Sequence, residues 1–179
     1  MPLETLVALT PTIIWEDHGV KLIDQTRLPL DEEYITTDNY RVVCDAIYRL
    51  AIRGAPAIGV AGAYACVLAA NEIEETKFDL FVKIYLEKAD EIGATRPTAV
   101  NLMWAVKQMK DKATSFSGSV DDLKIDLLKL AHDIREDDIE RCHNLGLHGA
   151  HLIPQNANVM TICNTGGLAT SGIGTALGV

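Results

Sequence analysis

Apolar side chains recur every three to four residues over most of this chain, a spacing that predicts a succession of helices. The first helix should begin near Thr37 or Asp38, which are good capping residues, and a long helix should follow a Ser119-x-x-Asp122 capping pattern. The first helix would bury Val42, Ala46, Ile47 and Leu50. Further helices are expected over residues 57–70, 78–92, 98–112 and 120–148.

The predicted helix over residues 57–70 differs from the others because almost all of its side chains are small and apolar. It is too short to cross a membrane. Gly59 and Gly62 each cost about 1 kcal/mol of helix stability relative to alanine. Residues this small are best tolerated where another backbone or a ligand comes close.

Strands are predicted at two places. Residues 12–24 read as two short strands with a turn at His18-Gly19, which gives a β-hairpin. After Pro154 the pattern changes to a buried strand over 158–162, a tight loop over 163–167 and a small-residue helix over 168–177. This strand, glycine-containing loop and helix form the opening unit of a Rossmann-like parallel sheet.

The predicted fold is therefore α/β and has two parts. Residues 1–153 form a mostly helical domain with a short β-hairpin, and residues 154–179 form the first β-loop-α unit of a Rossmann-like domain. A parallel strand needs neighbours that such a unit does not supply. We therefore expect this chain to be the N-terminal half of a larger protein, or a subunit completed by another chain.

Composition and charge exclude several classes of protein. The 179 residues carry 16 Lys+Arg and 25 Asp+Glu, a formal net charge of −9 that disfavours binding to nucleic acid. No apolar run approaches the roughly 18 residues that span a membrane, and residues 1–10 show neither the basic segment nor the apolar core of a secretory signal, so we expect neither membrane insertion nor secretion. The cysteines form no C-x-x-C pair. We expect reduced thiols in a cytoplasmic protein.

No metal site is predicted. The nearest candidate cluster, Cys142 and His143 with His148 and His151, lies along one predicted helix and lacks the spacing of a zinc site.

Cys163 is the sharpest candidate for catalysis. It lies where the last predicted strand ends and a helix is about to begin, the edge at which open α/β sheets bind ligands. The dipole of that helix would stabilise negative charge on the sulfur. The alternative is a small buried cysteine with no chemical role. The residues that follow, Asn164, Thr165 and Gly166, could present backbone N–H groups to a phosphate, or form a plain turn.

Two arginines precede predicted helix starts. Arg53 stands before Gly54-Ala55-Pro56, and Arg96 stands before Pro97. A guanidinium beside free helix N–H groups suits a phosphate or carboxylate ligand, although either arginine could also be a surface residue near a cap. Asp24 or Gln25, after a predicted strand, could face a pocket or cap the turn.

Taken together, these motifs resemble one protein family in their order and approximate spacing. They are Leu22-Ile-Asp-Gln-Thr-Arg-Leu-Pro29, Ile52-Arg-Gly-Ala-Pro-Ala-Ile-Gly59, Thr95-Arg-Pro-Thr98, Cys163-Asn-Thr-Gly-Gly-Leu-Ala-Thr170 and Gly174-Thr-Ala-Leu-Gly-Val179. The chain resembles the methylthioribose-1-phosphate isomerases of methionine salvage. A wider family joins them to the regulatory subunits of initiation factor 2B and to ribose-1,5-bisphosphate isomerases.

The resemblance implies a homodimer that converts 5-methylthioribose 1-phosphate into 5-methylthioribulose 1-phosphate without a metal or organic cofactor. Arg53, Gly54 and Ala55 match the segment that binds substrate, Arg96 matches a second contact, and Cys163 matches the active-site cysteine. The family's catalytic aspartate corresponds to a position beyond Val179, so we expect these 179 residues alone to be inactive. Many relatives have histidine where this chain has Ile162.

Two alternatives remain open at this stage. The chain could belong to a ribose-1,5-bisphosphate isomerase, or to a non-catalytic subunit like those of initiation factor 2B. A pure scaffold has no need of Arg53, Arg96 and Cys163 together, which favours an enzyme.

Overall fold

The computed structural model describes residues 11–179. Its chain opens with an antiparallel three-stranded sheet in which the strands are adjacent in chain order: β1 (Ile13–Glu16), β2 (Gly19–Ile23) and β3 (Tyr34–Thr37). The predicted hairpin is present, but its turn residues are Asp17 and His18, one position earlier than expected. Both have positive φ, which is typical of the two-residue turn that suits the strand twist. The third strand was not predicted.

Five helices follow the sheet, and their starts show why they form there. The first begins one to two residues later than expected, after Asn39, whose side chain accepts a hydrogen bond from the backbone N–H of Arg41. The last begins with the predicted capping box, in which Ser119 accepts from the N–H of Asp122 and donates to its carboxylate. The helices are α1 (Tyr40–Tyr48), α2 (Ala55–Asn71), α3 (Phe78–Ala94), α4 (Val100–Ser115) and α5 (Val120–Ala150).

Helix α2 forms the centre of the core. Every residue from Ala57 to Ala70 is buried, because α1, α3, α4, α5 and β1 surround the helix. The glycines allow this close packing. A Cβ at Gly59 would come within 3.1 Å of the carbonyl oxygen of Asn101, and one at Gly62 within 2.4 Å of Leu102. The small-residue pattern therefore marks approach by a neighbouring helix.

The same contacts fix the helix directions. Along α2, Gly59 meets Asn101, and Gly62 meets the later residues Leu102 and Val106, so α2 and α4 run parallel and begin at the same end of the bundle. Helix α5 runs the opposite way. Lys124, near its start, donates to the carbonyl of Ile73 beyond the end of α2, and His132 hydrogen-bonds Tyr64. The second half of α5 therefore passes the N-terminal ends of α2 and α4.

Some core predictions for the first helices were correct and others were wrong. Leu102, Ala105, Val106 and Met109 of α4 are buried as predicted. In α1, Ala46 and Ile47 are buried, but Val42 is exposed because the helix turns Tyr40 and Val43 to the core instead. Leu50 is exposed because the helix ends at Tyr48, before it. Of the helices in the described chain, none is both long and apolar enough to cross a membrane.

The segment after Pro154 differs from its prediction. Residues 158–162 form no strand, and Val159, Met160 and Ile162 are 63%, 95% and 88% exposed. In place of the expected helix over 168–177 there is one 3-10 turn, Gly167–Ala169. A buried parallel strand exists only with neighbours on either side, and residues 11–179 supply no parallel strand to pair with it. Residues 165–178 instead fold back on α5, where Gly146 lies against Gly178.

Candidate active site at the N-terminal ends of α2 and α4

The turn that starts α2 lies directly against the segment that follows Cys163. Gly54 has φ +96°, a conformation that residues with a side chain rarely adopt, and a Cβ there would lie 2.4 Å from the Cα of Ala169. Arg53 is exposed just before this contact, and Ala55 is the exposed first residue of α2. Two motifs that are far apart in the sequence therefore meet at Gly54.

Gln25 joins these two segments. Its side chain is buried, its Nε2 donates to the carbonyl oxygen of Leu168 at 2.7 Å, and its Oε1 accepts from Nε of Arg53 at 3.3 Å. Asp24 faces elsewhere: it accepts from Thr26 and pairs with Arg49 at 2.9 Å. Burial raises the pKa of the Asp24 carboxyl, but these hydrogen bonds outweigh burial and hold it below its usual value. Of the two residues singled out in the sequence, Gln25 is the one that faces the site.

Thr12 holds the same segment from the start of β1, where the N–H of Ile23 at the end of β2 donates to its carbonyl oxygen. This buried residue precedes β1, and its Oγ1 donates to the carbonyl oxygen of Gly167 at 2.8 Å. The consecutive carbonyls of Gly167 and Leu168 are thus bound by Thr12 and Gln25. We call residues 163–170 the cysteine loop. Its second half is fixed by side chains from the N-terminal sheet region.

The first half of the cysteine loop is more open. Cys163 and Asn164 are exposed, and Cys163 has φ +72°, a left-handed conformation that costs about 1–2 kcal/mol for a residue other than glycine. Thr165 accepts from the N–H of Thr175 at 2.9 Å, and Gly166 pairs with Gly174. The helix whose dipole was expected to act on Cys163 is absent from this segment, so that part of the sequence argument does not hold here.

The two helices that begin at this end lack side-chain caps. Neither Gly54 before α2 nor Ala99 before α4 places a side chain on the free N–H groups of the first turn. Because α2 and α4 are parallel, the positive ends of both dipoles lie together, which favours an anion there. Arg96 is half-buried in the turn before α4, and its carbonyl accepts from the N–H of Ala99. No described contact joins Arg96 directly to Arg53 or to the cysteine loop.

A groove of about 430 Å³ opens between the first turns of α2 and α4 and the second half of α5, a volume within the range of small-molecule sites. Its apolar lining includes Val100 and Trp104 of α4 and Leu145 of α5. Asp138 of α5 also lines the groove, and its Oδ2 accepts from the backbone N–H of Ser171 at 2.6 Å. Burial raises the pKa of the Asp138 carboxyl above its usual 3.8, although the bond from Ser171 opposes this shift. The groove therefore combines apolar side chains with a poorly solvated acid.

Between residues 11 and 179, no three His, Cys, Asp or Glu side chains converge in a way that could hold a metal ion.

Sequence reasoning missed two residues of this region and left a third unresolved. Thr12 and Asp138 carried no local signal, because each is defined by a hydrogen bond to a residue distant in the chain. Gln25 was noticed beside Asp24, but only the folded structure separates the two.

The fold and the site define a class of protein: a helical domain that presents an arginine, two uncapped helix starts and a cysteine loop at one end, which suits a small phosphorylated ligand. The chain belongs to the initiation factor 2 subunit family, because the sequence model of that family matches residues 51–178.

Curated relatives carry the name methylthioribose-1-phosphate isomerase. The protein of Geobacter metallireducens is 48% identical over 169 residues, and that of Trichlorobacter lovleyi is 46% identical over 169 residues. Each match covers 94% of this chain and 49% of the relative, so the chain spans about half the length of the curated relatives it matches.

Two solved structures are similar to the whole described fold. The 5-methylthioribose 1-phosphate isomerase of Pyrococcus horikoshii superposes with a TM-score of 0.91 at 30% identity, covering 98% of this chain and 49% of that one. The delta subunit of translation initiation factor eIF-2B from A. fulgidus gives a TM-score of 0.84 at 43% identity, covering 94% and 49%. These matches agree with the α/β class predicted from the sequence.

Proposed function

We propose that this protein is a methylthioribose-1-phosphate isomerase, an aldose-ketose isomerase that converts 5-methylthioribose 1-phosphate into 5-methylthioribulose 1-phosphate in methionine salvage. The names of the curated relatives and of the P. horikoshii structure support this activity. The observation that carries the proposal is the contact of the Arg53-Gly54-Ala55 turn with the cysteine loop. This contact supports one site in which the proposed phosphate-binding segment lies beside the loop that carries Cys163.

In this proposal the phosphate lies at the helix starts. Arg53 and Arg96 neutralise its charge and fix its orientation, and the backbone N–H groups of the α2 turn and of Asn164, Thr165 and Gly166 bind its oxygens. Phosphate on the anomeric carbon prevents spontaneous opening of the sugar ring, so an acid must assist that step. Hydrogen then moves from C2 to C1. Cys163 donates a proton or stabilises the charge that develops at these carbons.

A direct assay tests the proposal. The protein as its organism produces it is incubated with 5-methylthioribose 1-phosphate, and the ketose is followed by NMR. We expect turnover of that substrate and much less turnover of ribose 1,5-bisphosphate, the substrate of the alternative isomerase. Preference for the bisphosphate would favour the alternative. These 179 residues expressed alone are predicted to be inactive.

A second candidate function is a non-catalytic subunit, and the similarity to the eIF-2B delta subunit of A. fulgidus favours it. Binding separates the two. An isomerase should bind its sugar phosphate in a way that depends on Arg53, so Arg53→Ala should weaken binding measured by calorimetry. Exposed Arg27, whose guanidinium pairs with Asp31 and Glu33, provides a matched control in Arg27→Ala. A scaffold should bind no sugar phosphate, or bind it equally well in both variants.

Assembly and location are proposed on the resemblance alone. We infer a homodimer in the cytoplasm that acts on a small sugar phosphate and binds neither nucleic acid nor membrane. Light scattering of the purified protein coupled to gel filtration tests the dimer.

A further inference from the structure

We propose that Gln25 is a positioning residue that couples phosphate binding to the chemistry of the cysteine loop. This inference rests on the proposed function and extends it to a residue in the segment after β2. One side-chain amide contacts both parts of the site: Arg53 through Oε1 and the carbonyl of Leu168 through Nε2. Movement of either partner is therefore transmitted through a single planar group.

The surroundings of Gln25 hold that amide in one orientation. The residue is only 2% exposed, and its backbone N–H donates to the carbonyl oxygen of Ala51 at 2.9 Å, close to Arg53 in the chain. A flipped amide would place its oxygen against the Leu168 carbonyl and its NH₂ against a guanidinium, so the partners themselves determine the orientation. Few rotamers are available to a buried side chain with two hydrogen bonds to its surroundings and a backbone held by a third.

The chemistry explains why this residue is glutamine. A primary amide accepts and donates at once, so it can serve a cation on one side and a carbonyl oxygen on the other. Glutamate of the same length would still accept from Arg53 but could not donate to Leu168. Methionine has a similar shape and would do neither. The two contacts can therefore be removed together or one at a time.

Thr12 makes a third comparison possible. It donates to the neighbouring carbonyl of Gly167 and has no contact with Arg53 in the described structure. Thr12→Val keeps the shape of the side chain and removes only this bond to the loop. The effect of Thr12→Val therefore shows what a looser cysteine loop does when the hydrogen bond that orients Arg53 is kept.

The experiment measures KM and kcat for 5-methylthioribose 1-phosphate in the protein as its organism produces it. In Thr12→Val and Gln25→Glu we expect kcat to fall about 10- to 100-fold with KM within about 3-fold of wild type, because loop displacement of about 1 Å can cost that much rate. In Gln25→Met we expect the same loss of kcat and, in addition, a rise of about 10-fold in KM. Gln155→Glu, at an exposed glutamine outside the site, is the matched control and should leave both constants unchanged.

Hydrogen–deuterium exchange of the peptide covering residues 163–170 gives a readout that does not need activity. Exchange should be faster in Thr12→Val, Gln25→Glu and Gln25→Met than in wild type, and unchanged in Gln155→Glu. Circular dichroism shows whether each variant is folded. If a Gln25 variant does not fold, Thr12→Val still tests the effect of losing a hydrogen bond to the cysteine loop.

The outcomes separate this proposal from the proposed function. A wild-type protein that turns over no sugar phosphate contradicts the proposed function, whereas unchanged loop exchange in the folded variants contradicts the role of Gln25. If the wild type is active, equal KM values in Gln25→Glu and Gln25→Met overturn the coupling and leave the isomerase assignment intact.

Discussion

Gly54 packs so closely against Ala169 that only glycine fits at position 54. A Cβ on Gly54 would lie 2.4 Å from the Cα of Ala169 and 2.6 Å from its carbonyl oxygen, and both are backbone atoms that cannot rotate away. The contact fixes the distance between the start of α2 and the end of the cysteine loop.

Gly54→Ala is therefore expected to destabilise the protein and to weaken substrate binding. The positive φ alone should cost about 1–3 kcal/mol, and the clash with Ala169 adds to it. Chemical denaturation measures the change. Gly93→Ala is the control. Gly93 lies in α3, and a Cβ added there would make only an ordinary contact, with Met103 Sδ at 3.4 Å. That substitution should be neutral or stabilise by up to about 1 kcal/mol, and an equal loss in both variants would contradict the argument.

Cys163→Ser should lower turnover by about 100-fold or more without unfolding the protein, because the thiol is proposed to act on the reacting carbons while its side chain is exposed. Steady-state kinetics and thermal melting check both parts. Cys44→Ser, at a half-buried cysteine in α1, should keep wild-type turnover. Wild-type turnover in Cys163→Ser would remove this residue from the mechanism.

Asp138→Asn should change how stability depends on pH. The folded state raises the pKa of this carboxyl through burial, so the folded protein binds its proton more tightly than the unfolded chain does. The contribution of this carboxyl to the free energy of unfolding is fully present at pH values below its usual pKa of 3.8. It is lost as the pH rises through the raised pKa of the folded state. Asparagine carries no charge and can still accept from Ser171.

The variant should therefore be at least as stable as wild type at pH 7, and the difference should shrink as pH falls toward 3.8. Urea denaturation at several pH values measures it. Asp133→Asn, at an exposed position of the same helix, controls for the loss of one negative charge. Lower stability of Asp138→Asn at pH 7 would show that the negative charge itself is needed.

Ser119→Ala should destabilise the protein by about 1 kcal/mol, because it leaves the N–H of Asp122 without its capping partner at the start of α5. Thermal unfolding followed by circular dichroism measures the loss. Ser117→Ala, in the exposed loop just before the helix, should have little effect. Equal melting temperatures for the two variants would mean that the cap contributes nothing.

The helices could be predicted from the sequence because their information is local. Apolar spacing located α3 and α4 within about three residues, and the capping pattern at Ser119 marked the start of α5. Strand β3 was missed because Tyr34–Thr37 is defined by its pairing with β2 and is only half-buried. Residues 158–162 failed in the opposite direction: their composition favours a strand, but a strand forms only where partners are available.

The site was predictable in part for the same reason. Arg53 and Gly54 stand at a helix start that the sequence marks with glycine and proline, and Cys163 stands in a glycine-containing loop. The hydrogen bonds from Thr12 and Gln25 to the cysteine loop join residues more than 140 positions apart. A local sequence pattern cannot indicate contacts between residues that far apart. Periodicity therefore located candidate groups, and only tertiary structure revealed what holds them.

The complete burial of α2 has a consequence for proteolysis. A protease needs several extended residues, and a helix enclosed by four other helices and a strand can offer them only when the whole domain opens. The peptide bonds between Ala57 and Ala70 should thus be among the last to be cut, whereas the exposed stretch over 158–162 should be cut first. The amount of fragment cleaved within α2 would therefore measure the fraction of molecules that have unfolded globally.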